Sequence, residues 1–143
     1  MNINLDMLKF GKSVIRLYDK LSNEVCKKYN LTKIEMDIIA FLANHPNEDT
    51  AVEIVDERML IKSNVSEAVN RLVGKKMIER FFDDNDRRKV HLKLTLKTHD
   101  MQNEIHIMQQ NFCNIMFKDF SENDIDELFL SAKKISNNAI REL

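Results

Sequence analysis

The stretch Ser63–Thr95, SNVSEAVNRLVGKKMIERFFDDNDRRKVHLKLT, decides the fold, because the spacing of its hydrophobic residues changes along it. Residues 63–74 carry apolar side chains at helical spacing. Met77–Phe82 has the composition of a short strand, and Val90–Leu94 alternates apolar and polar residues. Asp83–Asp86, between the two strands, has strong turn chemistry. The stretch therefore predicts a helix followed by a β-hairpin.

The chain is predicted to form six helices. A long first helix ends near Asn30, three more follow up to Gly74, and the last two come after the hairpin. Thr32 with Glu35, Thr50 with Glu53 and Ser121 with Asp124 have the spacing of capping boxes, in which a side chain and a backbone N–H bond reciprocally. We expect Ser63 to cap the fourth helix and Thr95 to cap the fifth. This order of elements is that of a winged helix-turn-helix, in which one helix enters the DNA major groove.

The composition supports a mainly helical protein without an active site. The chain has 143 residues, a net charge of -1, only 2 glycines and only 1 proline, too few turn-forming residues for a β-sandwich or barrel. We find no glycine-rich phosphate loop, metal-helix motif or catalytic triad, so we expect no catalytic residues, no cofactor and no metal. Without a signal peptide, a membrane-length apolar run or a disulfide framework, we expect a cytoplasmic protein that has no membrane partner.

Positive charge is concentrated in the decisive stretch. Residues 61–95 carry 9 basic and 5 acidic side chains, net +4, whereas residues 1–60 are net -2 and residues 119–143 are net -3. Such asymmetry is typical of a face that meets a polyanion, although random scatter of charges would produce it as well.

Two groups of polar side chains are candidates for DNA contact. The buried stripe of the fourth helix leaves one face outward, where Asn can pair with adenine, Arg with guanine or phosphate, and Ser with either. The hairpin tip adds consecutive cations suited to phosphate or the minor groove, with Asp86 expected to hold the turn and orient an arginine. Either group could instead be an ordinary solvated surface. The candidates are Ser63, Asn64, Ser66, Glu67, Asn70 and Arg71 on the helix, and Arg87, Arg88 and Lys89 on the hairpin.

Several segments resemble the MarR family of bacterial transcriptional regulators. They are Leu31-Thr32 at the start of the second helix, Leu72–Arg80, and Asp86–Arg88 followed by Leu94-Thr95. The resemblance covers essentially the whole chain and implies a homodimer that binds a palindromic operator in double-stranded DNA. It further implies repression in most members, and in many of them release by a small-molecule effector or an oxidant. The chain departs from the family at Lys76, where a glycine is common before the first wing strand.

The domain organisation follows from the same pattern. We predict a single domain over residues 1–143, with a winged-helix lobe at about 32–95 and dimerisation helices at 1–30 and 96–143. The first, fifth and sixth helices carry long apolar stripes that a compact lobe cannot cover, so a second copy is expected to bury them. The alternative function is a protein-interaction module that keeps the winged-helix fold but has lost DNA binding.

The family also implies a ligand crevice between the dimerisation helices and the DNA-binding lobe. Plausible lining residues lie on the first and fifth helices, although ordinary core packing accounts for each of them as well. We expect Cys26 and Cys113 to be buried and inert, and His45 and His91 to be solvated. The candidate lining residues are Leu17, Tyr18, Leu21, Phe112 and Met116.

Overall fold

The computed structural model describes residues 2–143, so the first residue of the predicted domain lies outside it. Helix α1 spans Ile3–Tyr29 and is followed by α2, α3 and α4, then by the hairpin strands β1 and β2, a short 3₁₀ turn, and helices α5 and α6. The predicted fold class, mainly α with a β-hairpin wing, is confirmed. The remaining bounds are α2 Lys33–Asn44, α3 Ala51–Arg58, α4 Lys62–Gly74, β1 Ile78–Phe82, β2 Val90–Leu94, the 3₁₀ turn Leu96–Thr98, α5 His99–Met116 and α6 Glu122–Ile140.

Most helix ends follow their predicted caps. Asn30 ends α1 in the left-handed conformation, with φ 52°, which asparagine tolerates better than most residues. The three predicted capping boxes are all present, at the starts of α2, α3 and α6. Each satisfies backbone N–H groups that a helix start would otherwise leave without partners.

Two predicted caps are wrong. Helix α4 begins two residues earlier than a Ser63 cap implies, with Ile61 at its cap position, so Ser63 lies inside the first turn and makes no capping bond. Thr95 precedes the 3₁₀ turn rather than α5, and its hydroxyl donates to the Lys76 carbonyl oxygen at 2.7 Å. That bond ties the residue after β2 to the chain two residues before β1, so Thr95 closes the base of the hairpin.

The core lies where α2 and α4 meet the base of the hairpin and α5. Helix α2 is buried from Glu35 to Leu42, and Ile54 of α3, Leu72 of α4 and Ile78 of β1 are each at most 1% exposed. The strands pair antiparallel, with Arg80 opposite Leu92. Leu92 also donates its backbone N–H to the Asp49 carbonyl oxygen at 2.8 Å. This bond attaches the hairpin to the segment between α2 and α3.

The two ends of the chain are much less covered. None of the side chains of α6 is buried, and the first half of α1 exposes large apolar residues. None of the described helices is long and apolar enough to cross a bilayer. The exposed apolar side chains are Ile3, Leu5, Met7, Leu8, Phe10 and Ile15 on α1, and Leu128, Phe129, Leu130, Ile135 and Ile140 on α6.

Candidate nucleic-acid interface

Helix α4 has one buried and one exposed face, as the sequence predicts. Val65, Ala68, Val69 and Leu72 are buried against the core. The opposite face consists mostly of small polar side chains, which leave room for the α4 backbone to come close to the floor of a DNA groove. Of the predicted contact residues on α4, Asn64 is half-buried, and Ser63, Ser66, Glu67, Asn70 and Arg71 are exposed.

Arg71 is directed toward α2 by a buried carboxylate. Its Nε donates to Glu35 Oε1 at 2.8 Å, and Lys75 Nζ lies 3.0 Å from Glu35 Oε2. The Glu35 side chain is only 1% exposed. Burial alone would raise the pKa of Glu35, but hydrogen bonds from the Thr32 N–H, Arg71 and Lys75 lower it overall. The ion pair therefore fixes α4 on α2, and only the rest of the Arg71 guanidinium remains for a phosphate.

Arg80 of β1 joins the wing to the exposed face of α4. Its Nη2 donates a hydrogen bond to Asn70 Oδ1, and both side chains are exposed. Arg80 is not among the contact residues predicted from the sequence. No sequence signal would have identified it, because the contact depends on how the chain turns between α4 and β1.

Two carboxylates of the wing tip accept hydrogen bonds that hold its turn and orient one of its arginines. Asp83 Oδ2 accepts from the backbone N–H groups of Asn85 and Asp86, at 3.0 and 2.9 Å, which closes the turn. Asp86 Oδ1 accepts from the backbone N–H and Nε of Arg88, at 3.0 and 3.2 Å, the arginine-orienting role that we predicted. The Arg88 side chain is 93% exposed, so this pair orients the guanidinium without burying it. Arg87 and Lys89 are exposed as well.

His91 anchors the wing to the lobe, and the prediction that it is solvated is wrong. Its side chain is 16% exposed, its Nδ1 contacts Asp49, and its Nε2 lies 2.7 Å from Asp83 Oδ1. The ring stacks on Phe81, with centroids 5.0 Å apart. Hydrogen bonds to Asp49 and then Asp83 raise the pKa of His91. The arrangement ties the wing tip, β2 and the α2–α3 segment together.

A cleft of about 370 Å³ lies between α1 and α5. Of the five predicted pocket residues, Leu21 lines it, and charged groups from Glu24, Lys28 and Glu104 surround its apolar floor. Tyr18 and Phe112 instead pack edge to face, with ring centroids 5.2 Å apart, while Leu17 and Met116 are half-buried.

The two cysteines differ in burial. Cys26 is buried as predicted, and burial raises the pKa of its thiol. Cys113 is exposed on α5, which corrects the expectation that it is buried. Across residues 2–143, no three His, Cys, Asp or Glu side chains are grouped so that they could hold a metal ion.

These elements define a winged helix-turn-helix protein, with α3 and α4 as the two helices of the motif and β1 and β2 as the wing. Within that class, the model of the MarR family matches residues 29–89 of this chain. That segment runs from the end of α1 to the wing tip. The resemblance inferred from the sequence is thereby confirmed.

Solved structures extend the likeness to nearly the whole chain. A mutant MarR from Escherichia coli in complex with operator DNA is 21% identical, with a TM-score of 0.71, over 94% of this chain and 98% of that one. A MarR-family regulator from Listeria monocytogenes in complex with a 26mer DNA is 21% identical, with a TM-score of 0.85, over 94% of this chain and 89% of that one. MarR from Staphylococcus aureus in complex with salicylate and kanamycin is 19% identical, with a TM-score of 0.75, over 99% of this chain and 95% of that one. No curated protein matches the sequence significantly.

Proposed function

We propose that this protein is a sequence-specific DNA-binding transcriptional regulator, a repressor that acts as a homodimer. The observation that carries the proposal is the contact between Arg80 and Asn70. It joins the exposed polar face of α4 and the cationic wing into one surface. A helix for the major groove beside a flanking basic hairpin is the arrangement that a winged helix uses on duplex DNA.

Roles within this surface follow from side-chain chemistry. Asn64, Ser66, Glu67 and Asn70 face bases or ordered water, whereas Ser63, Arg87, Arg88 and Lys89 hold phosphates or enter the minor groove. Arg71 shares its guanidinium between Glu35 and a phosphate. DNA complexes of the similar Escherichia coli and Listeria proteins support a duplex partner. With DNA as its partner, we propose that the protein acts in the cytoplasm.

The uncovered ends of the chain support the homodimer. Helix α6 has no buried side chain of its own, and α1 exposes a row of large apolar residues. Exposed apolar surface of this extent marks an interaction face. Pairing these helices with a second copy would set two α4 helices about 34 Å apart, one turn of DNA, on a palindromic operator.

The cleft between α1 and α5 is the candidate effector site. Its walls are α1 and α5, which we both assign to the dimer, and α5 also packs against α2 of the lobe, so a ligand there can favour one spacing of the two α4 helices over another. Such a ligand shifts DNA affinity only through its differential affinity for the two spacings. The salicylate and kanamycin complex of the Staphylococcus protein supports a small-molecule effector.

Enrichment of genomic fragments at moderate salt tests the proposal. We expect one or a few duplexes with inverted half-sites about one helical turn apart. The second candidate is a protein-interaction module, which the neutralised Arg71 and the exposed Glu67 favour. A protein that enriches no duplex even at low salt would support this second candidate and contradict the first.

A further inference from the structure

The orientation of the Asn70 amide is fixed by the chemistry of its partner. Arg80 Nη2 faces the Oδ1 end of the amide. A guanidinium carries five N–H donors and no acceptor, so only the carbonyl oxygen of an asparagine can satisfy it. The NH₂ end of Asn70 is therefore directed away from Arg80.

The backbone under Arg80 is held in place independently of that contact. Arg80 pairs with Leu92 across the hairpin, and Leu92 is both buried and bonded to the Asp49 carbonyl oxygen at 2.8 Å. A side chain that starts from a fixed strand position loses less freedom when it binds. The Arg80–Asn70 pair is thus presented as a preformed unit.

This unit presents hydrogen-bond donors and a positive charge. A free asparagine pairs with adenine by accepting from N6 and donating to N7. In Asn70, the accepting atom is already bonded to a cation, and the charge repels the N6 donor of adenine. The remaining donors, Asn70 Nδ2 and the guanidinium, complement guanine, which offers acceptors at both N7 and O6.

We infer that Arg80 is a specificity-determining positioning residue, which converts Asn70 from an adenine contact into part of a guanine contact. The inference rests on the proposed function, because it assigns the base preference of the same surface. It concerns one base pair in each half-site. Arg80 acts through Asn70, so its removal should change which base is chosen there.

The test is selection of bound duplexes from a randomised half-site library by the full-length protein and its variants. We expect the unchanged protein to select guanine at one position of each half-site. Arg80→Met removes the donors but keeps the aliphatic stem, and should move the preference at that position to adenine, by roughly tenfold in the guanine-to-adenine ratio. Lys93→Met is the matched control, since it removes one exposed charge from the neighbouring strand. It should weaken binding to all sequences and leave the base at that position unchanged.

A second variant keeps the test independent of folding. Asn70→Asp retains a partner for Arg80 but has no donor of its own, so guanine selection at that position should be lost while other positions keep their preferences. If Arg80→Met or Asn70→Asp selects the same base as the unchanged protein, the inference is wrong and the proposed function stands. If the unchanged protein selects no duplex at all, both fail.

Discussion

His91 Nε2 lies 2.7 Å from Asp83 Oδ1, and this contact joins the second wing strand to the turn at the wing tip. The hydrogen bond from His91, followed by those from the Asn85 and Asp86 N–H groups, lowers the pKa of Asp83 to about 2. In return, hydrogen bonds to Asp49 and Asp83 raise the pKa of His91 above 6.5. The wing is therefore held by a histidine between two carboxylates, which favour its protonated form, with Phe81 stacked on its ring.

This anchor predicts a pH-dependent contribution to stability. The raised pKa of His91 means that its contribution is complete below the ordinary value of 6.5 and is lost as the pH rises through the folded-state pKa. The lowered pKa of Asp83 means that its contribution is complete above 3.8 and is lost as the pH falls toward about 2. The destabilisation by His91→Gln should therefore be largest between about pH 4 and 6.5.

Thermal unfolding of both proteins across that pH range measures the effect. His106→Gln, which changes an exposed histidine of α5, is the matched control and should follow the pH course of the unchanged protein. A His91→Gln effect that is the same at every pH would show that the ring acts only through packing.

Lys76 adopts a left-handed conformation, with φ 60°, at the position where the family commonly has glycine. A residue with a side chain costs about 1–2 kcal/mol in this backbone region, and glycine avoids that cost. Glycine also makes the unfolded chain more flexible, which offsets about 0.5–1 kcal/mol of the gain. Lys76→Gly should therefore raise the free energy of unfolding by about 0.5–1 kcal/mol in urea denaturation. Lys76→Ala, which keeps a Cβ, should give no gain, and an equal gain from both variants would refute the strain.

Glu35 carries two separable roles, capping α2 and pairing with Arg71 and Lys75. Glutamine keeps the cap but not the charge. Because the cations are 44% and 33% exposed and water can solvate them, Glu35→Gln should cost about 2 kcal/mol rather than the larger cost of a fully buried pair. The loss should shrink as the pH falls below 4.5, through the lowered pKa of Glu35. A loss that is unchanged at low pH would assign the effect to packing.

Arg88 tests the wing as a phosphate contact. Its guanidinium is exposed and oriented by Asp86. Arg88→Ala should weaken binding to all duplexes and reduce the salt slope of the affinity by about 1. Arg141→Ala removes an exposed cation after α6 and should leave the slope unchanged. An unaltered slope in Arg88→Ala would remove the wing from the contact surface.

Asn64 tests base contact by α4. It is half-buried beside the exposed polar face, so Asn64→Ala should change which operator is preferred rather than weaken all equally. Competition binding between the selected operator and single-base variants measures this. Equal weakening across all sequences would show that Asn64 does not contact a base.

The sequence predicts the elements better than the contacts between them. Helix caps such as Thr32 with Glu35 and the alternation in Val90–Leu94 are local patterns, and local geometry alone produces them. Bonds between distant residues have no such signature. His91 is polar and was expected to be solvated, but Asp49 and Asp83 reach it only after the hairpin folds back on the α2–α3 segment. The hydrogen bond from Arg80 to Asn70 has no sequence signature for the same reason.

The central claim is that two copies of this chain present their α4 helices and wings to one duplex. The most direct measurement is the affinity for a selected duplex at increasing salt, together with the number of chains bound per duplex. We predict two chains per duplex and an affinity that falls steeply and linearly on a log–log scale, because phosphate contacts release counterions. A single bound chain, or an affinity independent of salt, would contradict the account.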